Sequence, residues 1–355
     1  MSVKKKVGII TLPGYFNYGN RLQNYAVASI FEKWDIEPTS LYLGNRPNLI
    51  RQLKAFGRKL LGREIVDPES LMTDIRKDAF LRFDGLRSRL DLPKTNVKLV
   101  DEFNYFVVGS DQVWNPALIT YNEDWYFLDF ARPEQRIALS PSLGLDSLTA
   151  RQSNIIIKGL KNFSRVSVRE QRGAELIKQC SGMDAEVICD PTLVLSAKEW
   201  RAVADGRYTP EEPYVFTYLL GGISSEAAAT LEVVTDRGHV PVVSLSDRQK
   251  PGELDAGPAE FIDLIDNASH VVTDSFHAAV FSSILETPLT IVHREGGASM
   301  FSRLEQLSRM LSIEEKVYGS DTFDLALAGD YKGVSEAISC ERERFMDFLE
   351  GCLDG

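Results

Sequence analysis

Five short polar clusters, each placed at or directly after an apolar run, hold the residues that could do chemistry. In VVTDSFHAAVF (271–281) the imidazole of His277 follows Thr273-Asp274-Ser275, where a strand-like run gives way to a helix-like one. Histidine exchanges protons near neutral pH, so at such a junction it is a candidate general acid or base, although a lone histidine is more often a packed or surface ring. In FVVGSDQVWNP (106–116) Ser110 and Asp111 stand just past the apolar residues. A carboxylate there can accept a proton from a substrate hydroxyl, or it can cap a following helix. SRVSVRE (164–170) ends on Arg169-Glu170. An arginine at a strand end can hold a carboxylate or phosphate through two parallel hydrogen bonds, while Glu170 either lines the same site or pairs with Arg169 or Arg172. TLPGYFNYGNRLQN (11–24) runs through a glycine-containing loop into a helix, placing Asn17, Gly19, Asn20 and Arg21 where free helix N–H groups attract an anion. Its spacing is neither a dinucleotide fingerprint nor a P-loop, and Asn17 as a simple N-cap is the structural alternative. CDPT (189–192) reads as a structural turn, with Asp190 ahead of Pro191. Arg294, beside His293 and ahead of Gly296-Gly297, could line the same cleft.

The elements that must position these residues follow from a rhythm of short apolar runs and longer amphipathic stretches, the pattern of βαβ units and a parallel sheet. Strands are predicted at Val7–Thr11, Thr39–Leu43, Tyr105–Val108, Arg136–Ser140, Arg165–Val168 and Glu186–Cys189. A helix is predicted over Asn20–Trp34, with Leu22, Tyr25, Ala26, Ala28, Ile30 and Phe31 on its apolar side. The turn-rich ADGRYTPEEP follows, and the rhythm restarts with strands at Tyr214–Leu219, Val240–Leu245, His270–Thr273 and Leu289–His293. The expected architecture is α/β, with two Rossmann-like domains facing across a cleft. The first covers 1–200, with a mostly helical insert at about 45–95, and the second covers 201–355. Its final helix, Ser335–Leu353, is placed to pack back across the cleft. In open parallel sheets, ligands bind outside the carboxyl ends of the strands, which is where all the clusters fall.

Length and composition bound the rest. At 355 residues the chain exceeds what one core usually serves, and 44% hydrophobic with 26% charged residues is ordinary for a globular protein. A formal net charge of −11 argues against nucleic acid or an anionic membrane as a general partner, but not against an anionic small substrate held by a local arginine cluster. The run Val7–Leu12 is broken by Pro13-Gly14 with no small-residue cleavage site after it, so it reads as a strand rather than a secretory signal. No stretch has the length of a transmembrane segment. The basic RQLKAFGRKLLGRE in the insert reads as a solvated cover helix, with peripheral contact to a membrane or lipid-linked acceptor as the alternative. Cys180, Cys189, Cys340 and Cys352 have neither C-x-x-C nor metal-ligand spacing, so reduced thiols in a cytoplasmic protein and no metal site are expected.

Taken in order, GYFNYGNRLQNYA, VVGSDQVWN, SVRE, DPT and TDSFHAAVFSSI resemble the polysaccharide pyruvyl transferase family over about residues 7–310. The resemblance implies a transferase with a GT-B-like pair of Rossmann-like domains. Its reaction moves a pyruvyl group from phosphoenolpyruvate to two hydroxyls of a sugar, forming a cyclic ketal and releasing phosphate. Phosphoenolpyruvate is then a donor substrate, and no further cofactor is implied. The acceptor is a sugar, free, nucleotide-linked or lipid-linked, in exopolysaccharide, capsule or cell-wall biosynthesis. The resemblance maps the family's functional histidine to His277, its late first-domain arginine to Arg169 and its first-domain aspartate to Asp111. Many members carry an arginine two residues before the histidine. Here Ser275 stands in that place, and Arg21, Arg294 and Arg303 are the residues that could substitute. Two rival readings share the architecture. One is a nucleotide-sugar glycosyltransferase with Gly221-Gly222 and Gly296-Gly297 near the phosphates, and the other is a catalytically inactive glycan-binding relative.

Overall fold

The protein is described by a computed structural model that covers residues 4–12, 17–43, 72–92, 98–119, 122–161, 163–246, 249–295 and 301–354. The basic stretch at 51–64 and Gly296-Gly297 lie outside the described residues.

The first sheet has the order β3-β2-β1-β4-β5. Its strands are β1 (Lys6–Ile10), β2 (Glu37–Leu43), β3 (Arg89–Leu92), β4 (Tyr105–Val108) and β5 (Arg136–Ala138), all paired in parallel. A parallel pair, β6 (Ser167–Val168) and β7 (Glu186–Val187), continues past β5, where the Ser167 hydroxyl donates to Ala138 O and accepts from Ser140 N. The second sheet has the order β11-β10-β8-β9 and is also parallel throughout. Its strands are β8 (Val215–Tyr218), β9 (Val242–Leu245), β10 (His270–Thr273) and β11 (Leu289–Ile291). The central strands β4 and β10 are buried at every position, as strands covered on both faces should be. This is the double Rossmann-like architecture that the sequence rhythm predicts.

Helices alternate with these strands. They are α1 (Tyr18–Lys33), α2 (Asp74–Asp84), α3 (Glu123–Tyr126), α4 (Ala150–Leu160), α5 (Gln171–Ser181), α6 (Ala197–Arg201), α7 (Ser225–Val234), α8 (Pro258–Asp266), α9 (Phe276–Leu285), α10 (Ser302–Leu311) and α11 (Val334–Leu353). Among the described residues of the region expected to be mostly helical, α2 is a helix. The RLDL segment instead adds β3 to the sheet edge, with its first three residues exposed. One buried residue in four gives no alternating signal, and pairing with β2 rather than side-chain burial makes this segment a strand.

The two sheets share a core on one side, while a separate cluster covers the other face of each. One hydrophobic cluster runs from Val7 and Ile9 through α1 to Phe216, Phe261 and Val271. Tyr18 stacks on Phe261 at 4.7 Å between ring centroids, meets Tyr218 edge-on at 5.4 Å, and donates its hydroxyl to Ala256 O at 3.0 Å. Helix α1 is therefore buried on nearly all sides rather than along one stripe. Several of its polar groups bond inside the protein: Gln23 Nε2 donates to Thr11 at 2.6 Å and Asn24 Nδ2 to Ser40 at 2.8 Å, while Gln23 Oε1 has no partner among the described residues. Helix α11 lies against the first half, where Arg342 donates to the carbonyls of Leu193 and Leu195 and Tyr105 donates to Leu353 O.

His270 illustrates the cost of a titratable group in this core. Its Nε2 stands 2.9 Å from the Thr290 hydroxyl. Burial, together with the Lys316 ammonium, pulls the imidazole down to about 4. The unfolded chain binds that proton more readily than the folded one, so this contribution is complete above pH 6.5 and drains as pH falls toward 4. The expected loss is about 3 kcal/mol over that window. Denaturant titrations at several pH values should show this decline in the native protein and a flatter curve in His270→Gln. Parallel curves would mean that His270 does not set the acid limb.

Candidate active site

The carboxyl ends of β1, β4, β6, β7 and β10 converge on one buried polar cluster. At its centre is Asp190, the residue read from sequence as a turn. The turn is real: Oδ1 accepts from Thr192 N at 3.0 Å and from the Thr192 hydroxyl at 2.6 Å. The other oxygen, Oδ2, accepts from Arg169 Nη1 at 2.7 Å and from Ser110 Oγ at 2.8 Å. It also faces His277 Nε2 at 3.6 Å, an ion-pair distance longer than a hydrogen bond. Burial alone would favour the protonated acid. The facing His277, the Arg169 guanidinium and the Thr192 donors outweigh it and hold this carboxyl well below the usual carboxylate range.

Arg169 is itself buried, with its guanidinium 4.5 Å from the centroid of the Phe276 ring and Nη2 4.0 Å from Asp111 Oδ1. Burial works against its charge, but Asp190, Asp111 and Glu170 more than compensate and raise its pKa. His277 opens the first turn of α9. A Cβ at Gly19 would lie 1.9 Å from His277 Nδ1, so the first turn of α1 approaches the imidazole as closely as a bare backbone allows. Gly19→Ala must displace the ring from its place between Gly19 and Asp190. A loss of activity within about tenfold of that for His277→Ala is expected, in line with the cost of misplacing a catalytic group by about 1 Å. Turnover in Gly19→Ala equal to that of the native protein would show that the ring position is not critical.

The remaining sequence candidates divide by location. Asp111 lies beside Arg169 and accepts from Asn20 Nδ2 at 3.4 Å. No helix follows for it to cap, and it takes a left-handed φ of 68°, held by bonds from Val113 N and Ser142 N to its carbonyl. Asn20 links Asp111 to Thr11 and accepts from Arg21 Nη1 at 2.8 Å. Asn17 caps α1 by accepting from Asn20 N. Arg21 points away to a buried ion pair with Asp84 at 3.0 Å. Glu170 pairs with neither Arg169 nor Arg172. Its Oε1 accepts from Ser142 Oγ and from the amides of Leu143 and Gly144, fixing the loop after β5. Asp274 accepts from the amides of Leu220 and Gly221 and pairs with Arg294 at 3.3 Å, contacts that fix the end of β8. Ser275 is buried at the N-cap of α9 without a side-chain cap bond.

Sequence reading missed three contributors: the outward oxygen of Asp190, the Phe276 face under Arg169, and Gln306, whose amide donates to Arg169 O at 3.1 Å. The DPT triplet was the available signal, because an aspartate directly after an apolar run stands at a strand's carboxyl end like the others. Among the described residues, no group of three or more His, Cys, Asp or Glu is placed to hold a metal ion, and no helix is long and apolar enough to cross a membrane.

The profile of one family, polysaccharide pyruvyl transferase, matches residues 17–293, which include α1, Asp111, Arg169, Asp190 and His277. The chain belongs to the polysaccharide pyruvyl transferase family. No curated protein sequence matches it. Among solved structures it is similar to Anabaena Alr3699/HepE in complex with UDP and glucose, at 10% identity and a TM-score of 0.46, covering 98% of this chain and 100% of that one. It is likewise similar to a Listeria monocytogenes protein assigned as a UDP-N-acetylglucosamine 2-epimerase, at 9% identity and a TM-score of 0.46, over 95% and 91% of the two chains. In this pyruvyl transferase family member the first half supplies Ser110, Asp111, Arg169 and Asp190 to the cluster, and the second supplies His277 and Phe276.

Proposed function

We propose that the protein transfers the pyruvyl group of phosphoenolpyruvate to two hydroxyls of a sugar, forming a cyclic ketal and releasing phosphate in the assembly of a polysaccharide or cell-surface glycan. The observation that carries this reading is a histidine facing a buried carboxylate, next to a buried arginine, at positions within the family match. Asp190 faces the Nε2 end of the ring and orients it, the way a carboxylate positions a catalytic imidazole elsewhere. His277 then delivers a proton to C3 of the donor, which leaves a cationic centre at C2. One sugar hydroxyl attacks C2 and gives its proton to Asp111. Phosphate departs with its C–O bonding pair, and the second hydroxyl closes the ring with loss of its own proton. Because phosphoenolpyruvate is a cytoplasmic metabolite, the reaction belongs on the cytoplasmic side.

The test is phosphate release from phosphoenolpyruvate across galactose-, mannose-, glucose- and N-acetylhexosamine-containing acceptors, free, nucleotide-linked and lipid-linked. Acceptor-dependent phosphate together with a new ketal in the product supports the proposal. Nucleotide release from sugar nucleotides instead would move the protein to glycosyl transfer, and acceptor binding without either product would mark an inactive relative.

A further inference from the structure

A cavity of about 260 Å³ lies away from the catalytic cluster, at the end of α9 opposite His277. Helical rise alone puts Leu285, which lines it, roughly 12 Å from His277. Three segments distant in sequence build it: α6 with its N-cap Ser196, the last turn of α9, and the first half of α11. Glu286 and Ser335 are exposed, so the cavity opens to solvent.

Two arginines line this cavity, and each is held along one edge of its guanidinium. Arg342 donates Nε to Leu193 O at 2.7 Å and Nη2 to Leu195 O at 2.8 Å. Arg201 donates Nε and Nη2 to the two carboxylate oxygens of Asp266, both at 2.8 Å. The Nη1 group of each has no hydrogen-bond partner among the described residues. Arg342 rests on carbonyls alone, and burial pulls its pKa down, so an anion in the cavity would give it the counter-charge that its own contacts lack. Glu286, on the rim, offsets part of this charge, and the lining keeps an excess of one positive group.

The hydroxyls of the lining have the opposite polarity. Ser196 gives its proton to Glu199 Oε2 and Ser283 to Ala279 O, so towards a ligand both oxygens act as acceptors. Guanidinium donors for an oxyanion, beside serine oxygens that accept from hydroxyls, suit a molecule carrying both groups. We propose that this cavity is a second ligand site, separate from the catalytic cluster, for a small hydroxylated anion of the size of a sugar phosphate or sugar acid. It stands independently of the pyruvyl transfer reading.

Calorimetric titration of glucose 6-phosphate, glucuronate and inorganic phosphate into the full chain tests this in the native protein, Arg342→Gln, Arg201→Gln and the exposed control Arg309→Gln. The native protein should bind at least one of the two sugar anions more tightly than inorganic phosphate, and which of them binds tells a phosphate ligand from a carboxylate one. Arg342→Gln and Arg201→Gln should each weaken that binding about 10- to 100-fold, as loss of a charge-assisted contact predicts, and Arg309→Gln should bind like the native protein. An anion held only in the catalytic cluster would bind both cavity variants within about twofold of native, and that result overturns the proposal. So does a native protein that binds neither sugar anion at millimolar concentration, or that binds inorganic phosphate as tightly as the better of them. Should Arg342→Gln fail to fold, because Arg342 also tethers α11 to Leu193 and Leu195, the half-exposed Arg201→Gln decides by the same criterion.

Discussion

Replacing His277 by alanine is expected to lower turnover by ~10²–10⁴-fold, the range for removing a general acid or base, while leaving the fold intact. The fold should survive because the ring makes little use of its polar atoms for structure: its Nε2 has no hydrogen-bond partner among the described residues and faces Asp190 at 3.6 Å. The alanine variant leaves Asp190 with its bonds from Arg169, Ser110 and Thr192, so no carboxylate is stranded. Measuring acceptor-dependent phosphate release beside a thermal unfolding curve separates the two effects. Native turnover in a folded His277→Ala would remove the histidine from the chemistry. Loss of turnover together with loss of the folded state would show instead that its packing against Gly19 is structural.

Asp190→Ala should have the larger effect on stability. The carboxylate is fully buried and is the closest counter-charge to Arg169, whose next ion-pair contact, Asp111, is 4.0 Å away. Removing one partner of a buried pair strands the other, at a cost of about 3–5 kcal/mol. Asp190→Asn keeps the shape and an oxygen for Thr192 but loses the charge, so it should destabilise less and still lower turnover. The acid dependence gives a second readout. The folded-state carboxyl is held below its unfolded value, so its contribution is present above about pH 4 and is lost only as pH falls further. The native protein should therefore show an extra stability loss below about pH 4 that Asp190→Asn lacks. Equal acid limbs, with unchanged midpoints in denaturant, would mean that Arg169 finds another counter-charge.

Much of the fold was legible because it is written in local periodicity. The strands Tyr105–Val108 (YFVV) and His270–Thr273 (HVVT) are short β-branched or aromatic stretches with polar residues directly after them, and both are found with those bounds. The helix beginning near Asn20 was legible for the same reason, although its burial was not: a second half packs on the face that the sequence leaves polar. Strand β3 was not legible, since RLDL has the composition of a solvated loop and is a strand only through its pairing with β2. The region around the site could be located, because residues after parallel strands must line the sheet's carboxyl edge.

Sequence by itself determined the alternation of strands and helices, the polar residues at the strand ends, and the ordered motifs that identify the family. Tertiary structure alone decided which of those residues work together. Asp190 was a turn residue by local pattern and became the hub because Ser110, Arg169 and His277 reach it from separate strands and from the second half of the chain. Arg21, Arg294 and Arg303 were equal candidates by sequence, and packing alone sets Arg21 against Asp84, Arg294 against Asp274, and Arg303 on the wall of a pocket that Arg169 also lines. The reason is physical. Periodicity reports which face of an element is buried, a property of neighbours along the chain. The charge state and availability of a side chain depend on groups within a few ångströms in space, and these are set by how distant elements pack.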